Sequence, residues 1–138
     1  MKRSKRNAVV SLILWIALVV LLAQAFGKNR AVSIQSAEEG MTVSTSSGFT
    51  ISVIWKEIAA AEVKESLSLG TLVDGTDTEN EKSGLWYSEE YGEYELAANA
   101  KVNCFIVCTK KDGQVLIFNY ESASSTRELY EALIKAIQ

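Results

Sequence analysis

Carboxylates and two cysteines are the side chains of this 138-residue chain whose spacing we consider first for acid–base or metal chemistry. The sequence contains no histidine, which removes the usual general base near neutral pH and excludes Ser-His-Asp and Cys-His catalysis. One acidic group has the residue type that glycoside hydrolysis needs: Glu89, Glu90, Glu93 and Glu95. These residues lie close together on an expected β-turn, whereas catalytic pairs come from separate elements that line a cleft. We therefore predict no catalytic residue and no enzyme activity.

A second acidic group contains the carboxylates that a calcium-binding loop needs. Its members alternate imperfectly with polar residues: Asp74, Asp77, Glu79 and Glu81. The central glycine and the correctly spaced bidentate glutamate of an EF-hand loop are missing from this stretch. We interpret residues 74–83 as a solvated acidic loop and predict no metal ligand there.

Cys104 and Cys108 lie four residues apart in a run of β-forming residues. On one strand their Cα atoms would stand ~13 Å apart, beyond the ~7 Å that a disulfide allows. A second ligand pair for zinc is missing. We predict two buried free thiols on one strand face with Val102 and Ile106, and no cofactor.

The densest aromatic group outside the N-terminal apolar run consists of Trp86, Tyr87, Tyr91 and Tyr94. Alternate side chains of a strand point to opposite faces, so we expect some of these rings in the core and others at the surface. Exposed rings beside acidic residues suit a peptide or a cationic partner. These four residues are the predicted partner surface.

The net charge of −3 hides an asymmetry along the chain. Six of the fourteen basic residues lie in the first thirty positions, so residues 31–138 hold eight basic and seventeen acidic residues and carry −9. Such a body is repelled by phosphate backbones and anionic headgroups, which argues against nucleic-acid binding.

The first thirty residues read as a membrane anchor with basic flanks. Ala8 to Phe26 is an uncharged run of nineteen residues, ~28 Å long as a helix and close to the thickness of a bilayer core. The predicted transmembrane segment includes Ala8, Leu14, Trp15, Val20 and Phe26. Four basic residues before the run and two after it predict a cytoplasmic N-terminus and an extracytoplasmic body. The alternative is a signal peptide cleaved after Ala25, which would release a secreted protein.

The remaining chain reads as a juxtamembrane spacer, residues 31–41, followed by one mainly β domain, residues 42–138. The pattern predicts a hairpin from Thr42–Thr45 and Phe49–Trp55, with a core face of Phe49, Ile51, Val53 and Trp55. Residues 56–67 consist of helix formers, but their position between strand-like runs favours a strand.

Further strands are predicted along the rest of the domain: 67–73, two short strands around Glu90–Gly92, 102–109 and 114–120, the last two joined by Asp112-Gly113. A capping box at Ser125–Glu128 predicts the start of a final helix. The apolar face of this helix is expected to contain Leu129, Ala132, Leu133, Ala136 and Ile137.

This order of strands followed by one helix resembles the bacterial pleckstrin-homology-like (PH-like) domain family of small membrane-anchored proteins of unknown function. The resemblance covers about Phe49 to Ile137. It rests on Ile54-Trp-Lys-Glu-Ile58, Leu69-Gly70, Gly84-Leu-Trp86, Tyr91-Gly92, Glu95-Leu96, Val107-Cys-Thr109 and the final helix. It implies an α+β fold, mainly β with one C-terminal α-helix, in the form of a barrel or split barrel that the helix plugs. The chain lacks the Lys/Arg-rich loop of lipid-binding PH domains, so phosphoinositide binding is not expected.

The sequence thus predicts a non-enzymatic, membrane-tethered module that binds an unknown protein partner in the cell envelope. The alternative is a lipid or small-ligand binder at the membrane surface, which would need a concave apolar pocket. The oligomeric state does not follow from the sequence.

Overall fold

The computed structural model describes residues 14–16 and 31–138. Residues 31–138 form nine β-strands, one short 3₁₀ turn and one α-helix. The strands are β1 (Val32–Ser36), β2 (Gly40–Thr45), β3 (Thr50–Ile54), β4 (Ile58–Glu65), β5 (Thr71–Asp77), β6 (Glu81–Ser88), β7 (Gly92–Asn99), β8 (Cys104–Lys110) and β9 (Val115–Phe118). The 3₁₀ turn is Trp55–Glu57 and the helix, α1, is Ala123–Ile137. The predicted class, mainly β with one C-terminal helix, is confirmed.

The first three strands form an antiparallel sheet in the order β1-β2-β3. The predicted hairpin of β2 and β3 is confirmed, and Ile51 and Val53 are buried on its core face. Strand β1 lies within the segment that we predicted as a spacer, and its Val32 and Ile34 are almost fully buried. The core thus includes residues that precede Thr42, because these two alternating side chains of β1 are buried in it.

The other six strands form a second sheet in the order β4-β8-β9-β7-β6-β5. Strand β9 lies between β8, to which it is antiparallel, and β7, to which it is parallel. The prediction of a strand within residues 56–67 is confirmed, since β4 pairs with β8 along its length. Pairing in a sheet here overrides the helix propensity of the alanine and glutamate residues.

The predicted loop at residues 74–83 is wrong, because β5 continues to Asp77 and β6 starts at Glu81. Gly75 and Gly84 are cross-strand partners in this hairpin, with φ of +149° and +104°. A Cβ atom on either glycine would collide with the backbone of the opposite strand. The two strands approach closely at these glycines, which lets a stretch without apolar residues pair as a sheet.

Helix α1 begins one turn earlier than predicted. Ser122 is the N-cap: its hydroxyl accepts from the backbone N–H of Ser125, and the Ser125 hydroxyl accepts from the backbone N–H of Ser122. The capping box is therefore formed by Ser122 and Ser125 rather than by Ser125 and Glu128. On the predicted apolar face Leu129, Ala132 and Leu133 are buried, whereas Ala136 and Ile137 are half-buried.

Two apolar clusters lie on opposite faces of the six-stranded sheet. The first joins this sheet to the three-stranded sheet and to α1, and it includes Ile34, Val43, Ile51, Ile106, Phe118 and Leu129. The second lies on the other face and consists of Trp86, Tyr94, Leu96, Ala98, Phe105, Val107, Val115 and Ile117. Leu67 and Leu69, from the connection between β4 and β5, cover part of the second cluster.

Within residues 31–138 the strands do not close into the predicted barrel. The outer strands of the six-stranded sheet, β4 and β5, are not neighbours in the strand order, and the three-stranded sheet is separate. Helix α1 packs against β4 and β8 at one edge of the larger sheet. Residues 31–138 therefore form two sheets that share one core, and not a closed barrel plugged by the helix.

Most of the predicted membrane segment, including Ala8, Val20, Phe26 and the Ala23-Gln24-Ala25 cleavage box, lies outside the described residues. Leu14, Trp15 and Ile16 are helical; Leu14 and Trp15 are exposed, and Ile16 is buried with the first cluster. Among the described residues, no helix has the length and apolar character to cross a bilayer.

Candidate functional site

The four aromatic residues of the predicted partner surface do not lie together. Trp86 and Tyr94 are only 2% and 1% exposed and belong to the second apolar cluster, whereas Tyr87 is 48% exposed and Tyr91 is half-buried. The register explains the division, since Trp86 pairs with Tyr94 on one face and Tyr87 with Glu93 on the other. Trp86 and Tyr94 are thus core residues, and Tyr87 is the exposed ring of the group.

The two buried rings are fixed by hydrogen bonds to the backbone. The Trp86 indole N–H donates to the carbonyl of Ser83 at 2.9 Å, and the Tyr94 hydroxyl donates to the carbonyl of Leu69 at 2.5 Å. Burial raises the pKa of Tyr94 above its usual value. Each polar tip thus has a backbone acceptor, as is usual for buried Trp and Tyr side chains. The Tyr94 bond joins β7 to the connection between β4 and β5.

The outer part of the six-stranded sheet carries an exposed apolar group. It consists of Leu72, Val73 and Tyr87, which are 39%, 49% and 48% exposed, and we name it the β5 edge surface. The register places Leu72 on the same face as Trp86 and Tyr87 on the opposite face. Leu72 and Val73 belong to β5, where every residue is exposed except the half-buried Thr76. The register shifts between Leu72 and Asp74, so Val73 lies in a β-bulge. Sequence analysis predicted a short strand at residues 67–73 but did not identify Leu72 and Val73 as surface residues.

Carboxylates lie beside Tyr87, on one face of the β5 edge surface. Asp74 pairs with Leu85, which in turn pairs with Glu95, and Glu93 pairs with Tyr87. Cross-strand partners share a face, so Asp74, Glu93 and Glu95 lie on the same side of the sheet as Tyr87. From β5 to β7, residues 71–99 hold eight acidic residues and one lysine, a net charge of −7. The Nζ atom of that lysine, Lys82, lies 2.5 Å from Oδ1 of Asp77 and is positioned over the Trp86 ring.

Glu81 is a buried carboxylate at the start of β6. It accepts hydrogen bonds from the Ser46 hydroxyl at 2.7 Å, from the Ser47 backbone N–H at 3.0 Å, and from the hydroxyls of Ser47 and Ser83. Burial raises the pKa of Glu81, but the hydrogen bonds from these serines outweigh it and bring the pKa to about 2. The ionised carboxylate of Glu81 thus connects the two sheets through these hydrogen bonds. Because internal donors occupy its oxygens, Glu81 is not a general base.

The acidic residues with the types that metal or glycosidase chemistry needs lie along the two hairpins of β5, β6 and β7. Among residues 14–16 and 31–138, no three His, Cys, Asp or Glu side chains come together as a metal site. Glu89 and Glu90 lie exposed between β6 and β7, whereas Glu93 and Glu95 follow on β7. In this arrangement Glu93 and Glu95 flank the ring of Tyr87 and the side chain of Leu85.

Cys104 and Cys108 are free and buried on β8, as predicted. Burial raises the pKa of Cys108 to about 12 and also raises the pKa of Cys104. Because the thiolate is the reactive form, both side chains serve as packing residues in the folded protein. Cys108 packs in the first cluster together with Ile106.

A pocket of about 510 Å³ opens beside the turn between β2 and β3. Its lining is part polar and part apolar and consists of Ala31, Ser46, Asn80, Asn99, Lys101, Val102 and Glu121. The volume suits a small molecule, but the lining differs from the concave apolar pocket that a lipid binder would need.

The fold and these surfaces were compared with known proteins. No protein-family model, no curated protein and no solved structure matches this chain. The resemblance to the bacterial PH-like family therefore stays a prediction carried by the sequence motifs alone.

Proposed function

We propose that this chain is a non-enzymatic interaction module of the PH-like type, tethered to the cell membrane, that binds a protein partner in the envelope. The observation that carries the proposal is the β5 edge surface, where Leu72 and Val73 lie exposed at the strand edge and Tyr87 lies exposed on the acidic face of the sheet. Exposed apolar groups rimmed by polar residues are typical of protein interaction sites. Aromatic side chains such as Tyr87 are enriched in these sites.

The surrounding charge supports a protein partner over a lipid surface. With −7 on residues 71–99, the region around Tyr87 repels anionic headgroups and nucleic-acid backbones. The same charge attracts a basic protein segment. A protein partner thus fits both the apolar and the electrostatic character of this part of the molecule.

Membrane tethering is the second part of the proposal, and its support is the uncharged run from Ala8 to Phe26 with its basic flank. Cleavage after Ala25 would instead release the same domain as an exported soluble protein. The intact mass of the protein isolated from cells distinguishes the two: a chain that retains residues 1–25 supports the anchor, and a chain that begins at Phe26 contradicts it.

Site-directed photo-crosslinking in intact cells tests the interaction function. Benzoylphenylalanine is introduced in place of Tyr87 and, as a matched exposed control, in place of Glu128 on α1. We expect a discrete crosslinked partner from position 87 and none from position 128. Equal crosslinking from both positions, or none from position 87, would contradict the proposal. Flotation of residues 31–138 with liposomes in the absence of the N-terminal segment would support the lipid-binding alternative instead.

The pocket of about 510 Å³ favours a second candidate function, the binding of a small polar ligand. Asn80, Asn99 and Lys101 offer hydrogen-bond donors on its wall. A screen of amino acids, sugars and small organic acids for a rise in melting temperature tests this function. A ligand that stabilises the wild-type chain but not Asn80→Leu would support it, and a screen without any such ligand would count against it.

A further inference from the structure

We infer that the partner of this module binds as an extended, positively charged segment that adds an extra strand to the free edge of β5. The inference rests on the proposed interaction function and names the chemistry and the binding mode of the partner. Three observations carry it: an open strand edge, two chemically different faces beside that edge, and a local charge of one sign.

Strand β5 is the open edge of the six-stranded sheet. Among the described strands it is hydrogen-bonded to β6 alone. Its seven residues are exposed or half-buried throughout. Alternate peptide groups of such a strand point away from the sheet and are available to another chain. Addition of an extended peptide to this kind of edge is a recurrent mode of recognition, in which backbone hydrogen bonds provide affinity.

The opposite edge strand, β4, is occupied by the helix. The Tyr130 hydroxyl of α1 donates to the carbonyl of Ala61 at 3.3 Å, and Arg127 of α1 forms an ion pair with Glu65. An added strand beside β4 would have to compete with these contacts. The structure therefore favours β5 over β4 as the edge that accepts a partner.

The two faces beside β5 require different side chains from an added strand. Leu72 pairs with Trp86, a member of the second apolar cluster, and lies on the same face, so residues of an added strand on that side should be apolar. On the other side Asp74 and Glu93 lie near Tyr87, so residues there should be basic. Alternation of basic and apolar residues matches the period of two along a strand.

The charge distribution argues against a second copy of this chain as the occupant. Antiparallel pairing of two β5 strands about their centre would place Asp74 of one copy opposite Asp74 of the other. Like charges opposite each other in a sheet are destabilising. Charged residues and a β-bulge, such as the bulge at Val73, are features by which edge strands resist self-association. A basic segment of another protein would instead be attracted by the acidic residues of β5.

The test uses the full-length chain in nanodiscs of zwitterionic phosphatidylcholine, which do not attract basic peptides by charge. The probe is a fluorescent octapeptide of alternating lysine and valine. Two control peptides replace lysine by glutamate or carry N-methyl groups on alternate amides, which removes the backbone donors of one edge. We expect saturable binding of the lysine peptide that is weakened about tenfold or more by N-methylation, a loss of about 1.4 kcal/mol.

Matched charge reversals locate the site. Asp74→Lys combined with Glu93→Lys should weaken binding of the lysine peptide about tenfold or more, since it removes the attraction at the edge. Glu128→Lys combined with Glu131→Lys makes the same change in net charge on the exposed face of α1 and should leave the affinity within about twofold. Hydrogen exchange of the wild-type complex should show added protection in β5 and no change in β4.

Several results would overturn the inference. The first is equal affinity for the N-methylated and the unmodified lysine peptide. The second is an equal effect of the two charge-reversal pairs on that affinity, and the third is added protection from hydrogen exchange in β4. Concentration-dependent protection of β5 without peptide would assign the edge to a second copy. A partner crosslinked at position 87 together with failure of the peptide at β5 would retain the interaction module and reject strand addition. Absence of any crosslinked partner would reject the module itself.

Discussion

The hydroxyl of Ser46 donates a 2.7 Å hydrogen bond to the carboxylate of Glu81 and thereby joins the two sheets of the domain. Ser46 lies in the turn between β2 and β3 of the three-stranded sheet, and Glu81 is the first residue of β6 in the six-stranded sheet. Glu81 is 3% exposed, so its charge is stabilised by hydroxyl and amide donors rather than by water. Such a contact should make a measurable contribution to the stability of the domain.

Glu81→Gln should lower the free energy of unfolding by about 2 to 3 kcal/mol, because hydrogen bonds to a charged group are lost and a buried amide faces hydroxyl donors. Urea unfolding at neutral pH measures the change. Glu79→Gln, an exposed position in the same hairpin, is the matched control and should change the stability by less than about 0.5 kcal/mol. Equal effects of the two substitutions would contradict the role assigned to Glu81.

The stability contributed by Glu81 should depend on pH in one direction. Its pKa is about 2 in the folded protein against 4.5 as the ordinary value, so the unfolded chain takes up a proton first as the pH falls. The contribution is therefore complete above the ordinary pKa and is lost as the pH decreases from 4.5 towards 2. The difference in unfolding free energy between wild type and Glu81→Gln should be smaller at pH 3 than at pH 7. A difference that stays constant or grows in acid would contradict this linkage.

The close approach of β5 and β6 predicts a large effect of Gly84→Ala. Gly84 has φ of +104°, and a Cβ atom there would collide with the backbone of Asp74. Gly48→Ala is the matched control, since Gly48 has φ of +101° but open space around the added atom. We expect a loss of about 1 kcal/mol for Gly48→Ala from backbone strain and about 3 kcal/mol or more for Gly84→Ala. Thermal or urea unfolding measures both, and equal losses would show that the strands do not approach this closely.

Cys104 and Cys108 should resist alkylation in the folded protein. Burial keeps both side chains as thiols, with the pKa of Cys108 at about 12, and iodoacetamide reacts with thiolates. Mass spectrometry after treatment at pH 8 should find both residues unmodified without urea and modified in urea. A cysteine introduced by Ser124→Cys, exposed on α1, should react under both conditions and controls for the reagent. Rapid modification of Cys104 or Cys108 without urea would contradict the buried positions.

Strands with a clear hydrophobic signal could be predicted from the sequence. Strands β3 and β8 have runs of β-branched and aromatic residues, and the Asp112-Gly113 turn joins β8 to β9 as expected. Strand β5 could not be recognised beyond Val73, because an edge strand buries few side chains and leaves no alternation of apolar residues. The predicted start of α1 was one turn too late because Ser122 and Ser125 have equally good capping side chains. Packing of the first turn decides between them.

The candidate site was predicted in part. The residue types identified the aromatic hairpin, but only the register of β6 against β7 determines that Tyr87 faces outward while Trp86 and Tyr94 face the core. A shift of one residue would reverse this assignment. The bonds from Ser46 and Ser47 to Glu81 join residues more than thirty positions apart, so local patterns contain no signal for them.

The position of β9 has a consequence for the order in which the domain can assemble during synthesis. Strand β9 is the last strand in sequence, yet it alone connects β8 to β7, and with them the two halves of the six-stranded sheet. A nascent chain that ends before Val115 can form local hairpins but cannot complete this sheet. The six-stranded sheet can therefore be completed only after Phe118 has been synthesised, and a truncation that removes Val115–Phe118 should leave two separate sheet fragments rather than a smaller domain.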